Sequence, residues 1–94
     1  MINVDENILP GNLGATVTDI RGSMYYVMVT YDNGYAIKIS GELFPGARFV
    51  AYKSAIRKWE APHDDELVTP EMVAKVIEDV TAENGPGKVE IVFD

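Results

Sequence analysis

Residues 24–40 read MYYVMVTYDNGYAIKIS, two runs rich in β-branched and aromatic residues around the pair Asn33-Gly34. Such runs favour strands, and Asn-Gly between them is a strong short-range hairpin signal. The length of the turn decides which residues face each other. A two-residue loop of Asn33 and Gly34 sets Val29 opposite Lys38 and Val27 opposite Ser40. A three-residue loop, Asp32-Asn33-Gly34, sets Tyr31 opposite Tyr35, Val29 opposite Ile37 and Val27 opposite Ile39. Of the two, the second collects the apolar residues on one face, as a half-buried sheet requires. It needs a left-handed residue at the end of the loop, and Gly34 supplies one. The three-residue register is therefore expected.

Outward from this hairpin the β pattern continues. ATVTDI (15–20) reads as a strand, with Arg21-Gly22-Ser23 as the turn that follows it. Pro45-Gly46 fits the central positions of a type II turn, and RFVAYK (48–53) reads as a further short strand. SAIRKW (54–59) places Ile56 and Trp59 three apart, which suits one irregular or 3₁₀-like turn. The clearest helix signal begins at Thr69, a capping residue followed by Pro70 at the first helical position and by Glu71 at the positive end of the dipole. Met72, Val73, Val76, Ile77 and Val80 form one apolar stripe, and Glu71, Lys75, Glu78 and Asp79 lie away from it. Asn84-Gly85-Pro86-Gly87 is the expected stop. KVEIVF (88–93) then alternates as a closing strand. The expected fold is α+β: a small antiparallel β-sheet, one helix in the C-terminal half packed on one face, and a final C-terminal strand. Residues 1–94 are read as one domain, with 1–14 a loop-like or poorly tied N-terminal segment.

The chain has 94 residues, 47% of them apolar, and no cysteine. Its size sits near the lower end of what buries an adequate core unaided. Lacking cysteine, it has no thiolate nucleophile or disulfide, which suits a cytoplasmic protein. The opening MINVDENILPG has neither a basic flank nor a long apolar run, so neither a signal peptide nor a membrane span is expected. The net charge of −7 is unevenly placed. Residues 1–59 carry five acids against six bases, whereas residues 60–94 carry ten acids against two. That balance argues against nucleic acid, whose phosphates require a basic stripe. It favours a basic protein partner, because opposed potentials accelerate encounter.

WEAPHDDELVTPE (59–71) joins the lone tryptophan and lone histidine to a run of carboxylates. His63, Asp64, Asp65 and Glu66 are metal ligands by type, but four adjacent residues rarely point at one ion, and neither HExxH nor EF-hand spacing is present. No cofactor or metal site and no catalytic group is expected, so the reading is non-enzymatic. Trp59 is read as structural, sealing an edge of the core, and Pro62 as stopping any helix. Asp64, Asp65 and Glu66 stand too far before the helix to cap it. Simple solvation and partner contact both remain open for them.

Several of these residues together resemble predicted immunity proteins of bacterial polymorphic toxin systems, immunity family seventy-four. The matching features are Ile39 through Gly41-Glu42, then Phe49-Val50-x-Tyr52, then Ile56-x-x-Trp59-Glu60-x-Pro62. An acidic run, a Thr-started helix and the closing KVEIVF follow, and the resemblance covers roughly residues 24–94. Members often carry a second proline where this chain has Ala61, and the N-terminal VDENILPGNLG is an addition of its own. The resemblance implies a cytoplasmic protein that binds and neutralises a cognate toxin without catalysis. A basic toxin would explain the acidic surface, with Glu60, Asp64, Asp65, Glu66 and Glu71 as partner-binding candidates. Such a protein is expected to be a monomer or weak homodimer. The rival reading is a structural module that self-associates through a strand edge.

Overall fold

Nine consecutive residues of extended chain, Ala36–Phe44 (β3), form the central strand of a five-stranded sheet. The computed structural model describes residues 9–83 and 89–94. Before β3 run β1 (Val17–Gly22) and β2 (Tyr26–Tyr31), and after it β4 (Arg48–Ala51). A 3₁₀ turn at Lys53–Ala55, the helix α1 (Pro70–Ala82) and β5 (Glu90–Phe93) complete the order. The strands lie in the order β1-β2-β3-β4-β5. The first four form an antiparallel meander, and β5 pairs parallel to β4. A parallel neighbour needs a crossover long enough to bring the chain back, and α1 lies in that crossover. The sheet is thus antiparallel at heart with one parallel edge.

The central hairpin takes the three-residue loop. Val29 faces Ile37 and Val27 faces Ile39. Tyr31 N–H donates to Tyr35 C=O at 2.8 Å, and Gly34 N–H donates to Tyr31 C=O at 3.1 Å. Gly34 has φ +91°, the left-handed conformation that this loop demands. One turn moves relative to the sequence reading. Arg21 and Gly22 pair with Met28 and Val27 inside the ladder, and the reversal falls at Ser23 to Tyr25. The Ser23 hydroxyl accepts from the N–H groups of Tyr25 and Tyr26 at 3.2 Å, so it fixes the corner one step later. At the other end of the sheet, a Cβ on Gly41 would stand 2.2 Å from Val50 C=O. Only glycine lets β3 and β4 approach this closely.

The helix begins as its sequence predicts. Thr69 Oγ1 accepts from Met72 N–H at 3.3 Å, and Met72 Sδ accepts from Thr69 N–H at 3.4 Å. Its buried residues, Met72, Val76 and Val80, join Val27, Val29, Ile37, Ile39 and Phe49 from the sheet in one cluster. Each such side chain contributes about 1.5–3 kcal/mol relative to exposure. The expected stop at Asn84 to Gly87 lies outside the described residues, as do Met1 to Ile8 and Lys88.

A buried polar chain fastens the helix and the N-terminal loop to β2. Residues 11–14 form a turn rather than strand or helix, yet Asn12 is fully buried within it. Its Nδ2 donates to Tyr31 Oη at 3.1 Å and to Met72 C=O at 3.3 Å. Tyr31 Oη donates in turn to Asp79 Oδ2 at 2.9 Å, where Lys75 Nζ also binds at 2.9 Å. Burial raises the Tyr31 pKa above its ordinary value, and the Asp79 carboxylate adds to the rise against the opposing Asn12 donor.

Two stability outcomes follow from these contacts. Nothing lies within 4 Å of a Cβ placed on Gly34, so Gly34→Ala isolates the backbone cost. It should lower unfolding stability by about 1–2 kcal/mol, read from the urea midpoint. Trp59, with 0% of its surface exposed, should lose about 3–5 kcal/mol on replacement by Ala. An unchanged midpoint in either variant contradicts the corresponding packing.

Candidate partner-binding surface

β4 pairs with only the last four residues of β3, Gly41 to Phe44. The first half of β3 therefore needs another neighbour, and the segment after β4 provides it. Trp59 bridges to Ile37, and Glu60 N–H donates to Ala36 C=O at 2.9 Å. Trp59 is buried, with Tyr35 standing edge-on to its ring at a centroid distance of 5.3 Å. This seam is the base of a surface loop that runs from Glu60 to the helix start.

Two reverse turns shape the loop. His63 N–H donates to Glu60 C=O and Glu66 N–H to His63 C=O, both at 3.0 Å. The Ala61–Pro62 peptide is cis, and both residues are exposed. His63 stacks on Tyr35, ring centroids 3.7 Å apart and planes within 11°. Glu66 ties the same pair together, accepting from Tyr35 Oη at 2.5 Å through Oε1 and meeting His63 Nδ1 at 2.7 Å through Oε2. Hydrogen bonding from Tyr35, then from His63, holds the Glu66 carboxyl below its ordinary pKa, while the same bond raises the Tyr35 phenol.

The acids singled out in the sequence thus occupy different positions. Glu60 is half-buried and tied by its backbone. Asp64 and Asp65 are exposed, and among the described residues their carboxylates make no hydrogen bond or ion pair. Glu66 turns both oxygens inward onto Tyr35 and His63, although its side chain stays 41% exposed. Glu71 is exposed on the first turn of α1. From Glu60 through Glu71 every carboxylate belongs to this loop and helix start, with no lysine or arginine between them. Arg57 and Lys58, exposed just before Trp59, are the nearest cations in sequence.

Three residues that matter to the structure carry no clear signal in the sequence. Tyr35 reads only as a strand-pairing position opposite Tyr31, and no local pattern ties it to residues 63–66. Asn12 sits in a glycine-rich loop and reads as turn chemistry, so nothing local signals its burial. Leu67 follows the acids and is 78% exposed, more than any other large apolar residue described. Among the described residues, no group of three or more His, Cys, Asp or Glu side chains could hold a metal ion. A separate cavity of about 770 Å³ opens between the sheet and the end of α1, with Ile20, Leu43 and Phe49 in its lining. It shares no residue with the loop.

The described residues form a small α+β domain that carries an acidic loop between Trp59 and α1. Residues 19–94 match the family model described as Immunity protein 74, and the chain belongs to that family. Toxin neutralisation is the general function that this family carries, through binding of a cognate toxin, and its members are generally non-enzymatic. No curated protein and no solved structure matches the chain. Among the described residues, no helix is long and apolar enough to cross a membrane.

The loop clamp has a pH signature with a definite sign. A carboxyl whose folded pKa is depressed stabilises the fold above its unfolded pKa, and that contribution disappears as pH falls through the folded value. Acidification should therefore release the Glu66 clamp. Tyr35→Phe removes the largest cause of the shift, so Glu66 should titrate closer to the ordinary carboxylate range, followed by carboxyl-carbon NMR. Identical Glu66 titration in both proteins contradicts the clamp.

Proposed function

We propose that the loop of residues 60–71 presents a negative face to a basic cognate toxin domain in the cytoplasm. Asp64, Asp65 and Glu71 supply the outward charge in this reading. Glu60 and Glu66 belong to the same face, with Glu66 also holding the loop in place. The observation that carries it is the pair Asp64-Asp65: two exposed carboxylates, without a hydrogen-bond or ion-pair partner among the described residues, on a loop pinned at Glu60, His63 and Glu66. Charges held fixed and left unneutralised add to the long-range field that guides a basic partner into register. The protein acts as one domain, a monomer or weak homodimer. Both sheet edges are poor templates for a second copy, since β1 carries a register shift between Val17 and Asp19 and β5 has only four residues.

The test starts from the toxin domain recovered with the tagged protein from its source cell and purified. Replacing Asp64 and Asp65 together by Ser leaves Glu66 and the clamp intact. The association rate should fall about three- to tenfold at low ionic strength and lose part of its salt dependence. The thermal midpoint should stay unchanged, because neither side chain has a hydrogen bond or ion pair among the described residues. Equal association rates at low and moderate salt remove the loop from the interface.

A further inference from the structure

Charge sets the rate of encounter, but tightness in a protein complex comes mostly from a few apolar or aromatic anchors that lose their water at the centre of the contact. The acidic loop contains one side chain suited to that part. Leu67 stands 78% exposed, directly between clamped Glu66 and Val68, which packs against the core. We propose that Leu67 is the apolar anchor of the toxin interface, received by an apolar recess in an otherwise basic partner surface; this rests on the reading of the acidic loop given above.

A single exposed leucine is ordinary on a protein surface and needs no explanation by itself. Three features set Leu67 apart. First, its backbone is held on both sides. Glu66 N–H is bound to His63 C=O at 3.0 Å, and two residues further on Thr69 is fixed as the cap of α1. Ordering it in a complex therefore costs less entropy than ordering a free loop. Second, the charges around it in sequence have one sign: Asp64 and Asp65 before it and Glu71 after it are all exposed. An apolar centre inside a polar, charged rim is the anatomy of a specific interface. Third, the side chain takes no part in the core of the described residues. Leu67 belongs neither to the buried cluster nor to the partly buried residues packed against it. The complementary partner is thus a basic surface with a recess the size of a leucine side chain.

Rates measured with the same purified toxin domain separate this inference from the reading beneath it. Leu67→Ser should raise the dissociation rate about ten- to thirtyfold, with the association rate within about twofold of wild type. Leu67→Met, which keeps apolar volume, should retain near-wild-type dissociation. Met24→Ser, at a 62% exposed apolar position on the turn between β1 and β2, should change neither rate. The thermal midpoint of Leu67→Ser should match wild type, and a lowered midpoint would overturn the anchor role by showing that the side chain supports the fold. Unchanged dissociation in Leu67→Ser, or an equal loss in Met24→Ser, also overturns it. Should the Asp64 and Asp65 replacement slow association while Leu67→Ser does nothing, the anchor falls and the acidic face stands. Should neither replacement alter binding, both fall together.

Discussion

The mismatch in length between β3 and β4 is the constraint on which the rest of this molecule depends. β3 runs for nine residues, and β4 covers four of them. An open backbone edge in the middle of a sheet is costly when buried and invites foreign strands when exposed. The chain covers it with the segment that ends at Trp59, whose ring fills the space beside Ile37 and Tyr35. Everything downstream inherits its position from that seam. The loop from Glu60 to Glu66 starts at the bond from Glu60 to Ala36, and the clamp on Tyr35 stands on the same hairpin. The helix then starts four residues after Glu66, at Pro70.

This arrangement links stability to surface. Tyr35 lies at the end of the hairpin turn, touches the buried Trp59 with one edge, and carries His63 stacked on its face. The strand register therefore fixes a ring, and the ring fixes a loop. Loops of this length are ordinarily the least ordered parts of a small domain. Here the side chains that order the loop are themselves polar and partly exposed, so the anchorage weakens as pH falls in a way that an apolar one would not. Asp64 and Asp65 are left outside the clamp. The chain belongs to a family whose general function is toxin neutralisation, and the outward face proposed for that task stands on this edge repair.

Much of the fold was legible in the sequence because its signals are local. The pattern around Asn33-Gly34 selected the register, and the run from Thr69 to Val80 gave the helix with its cap and apolar stripe. Those features depend on neighbours a few residues away, where periodicity and turn chemistry act directly. What escaped was long-range or shared. The parallel pairing of β5 with β4 depends on where a crossover returns, which no local pattern encodes. Asn12 is buried by contacts with Tyr31 and Met72, 19 and 60 residues distant. The surface was legible by composition only. The acids of residues 60–71 stood out, but their division into clamped Glu66 and free Asp64 and Asp65 depends on Tyr35, far away in sequence. Leu67 carried no signal at all, since an isolated leucine next to a helix start reads as core.

Amide hydrogen exchange of the protein, free and bound to its purified toxin domain, tests the central claim most directly. The account predicts added protection on binding at residues 60–71 and little change at the turn between β1 and β2. Protection confined to that turn, or to the cavity beside Ile20 and Phe49, with residues 60–71 exchanging as in the free protein, would contradict it.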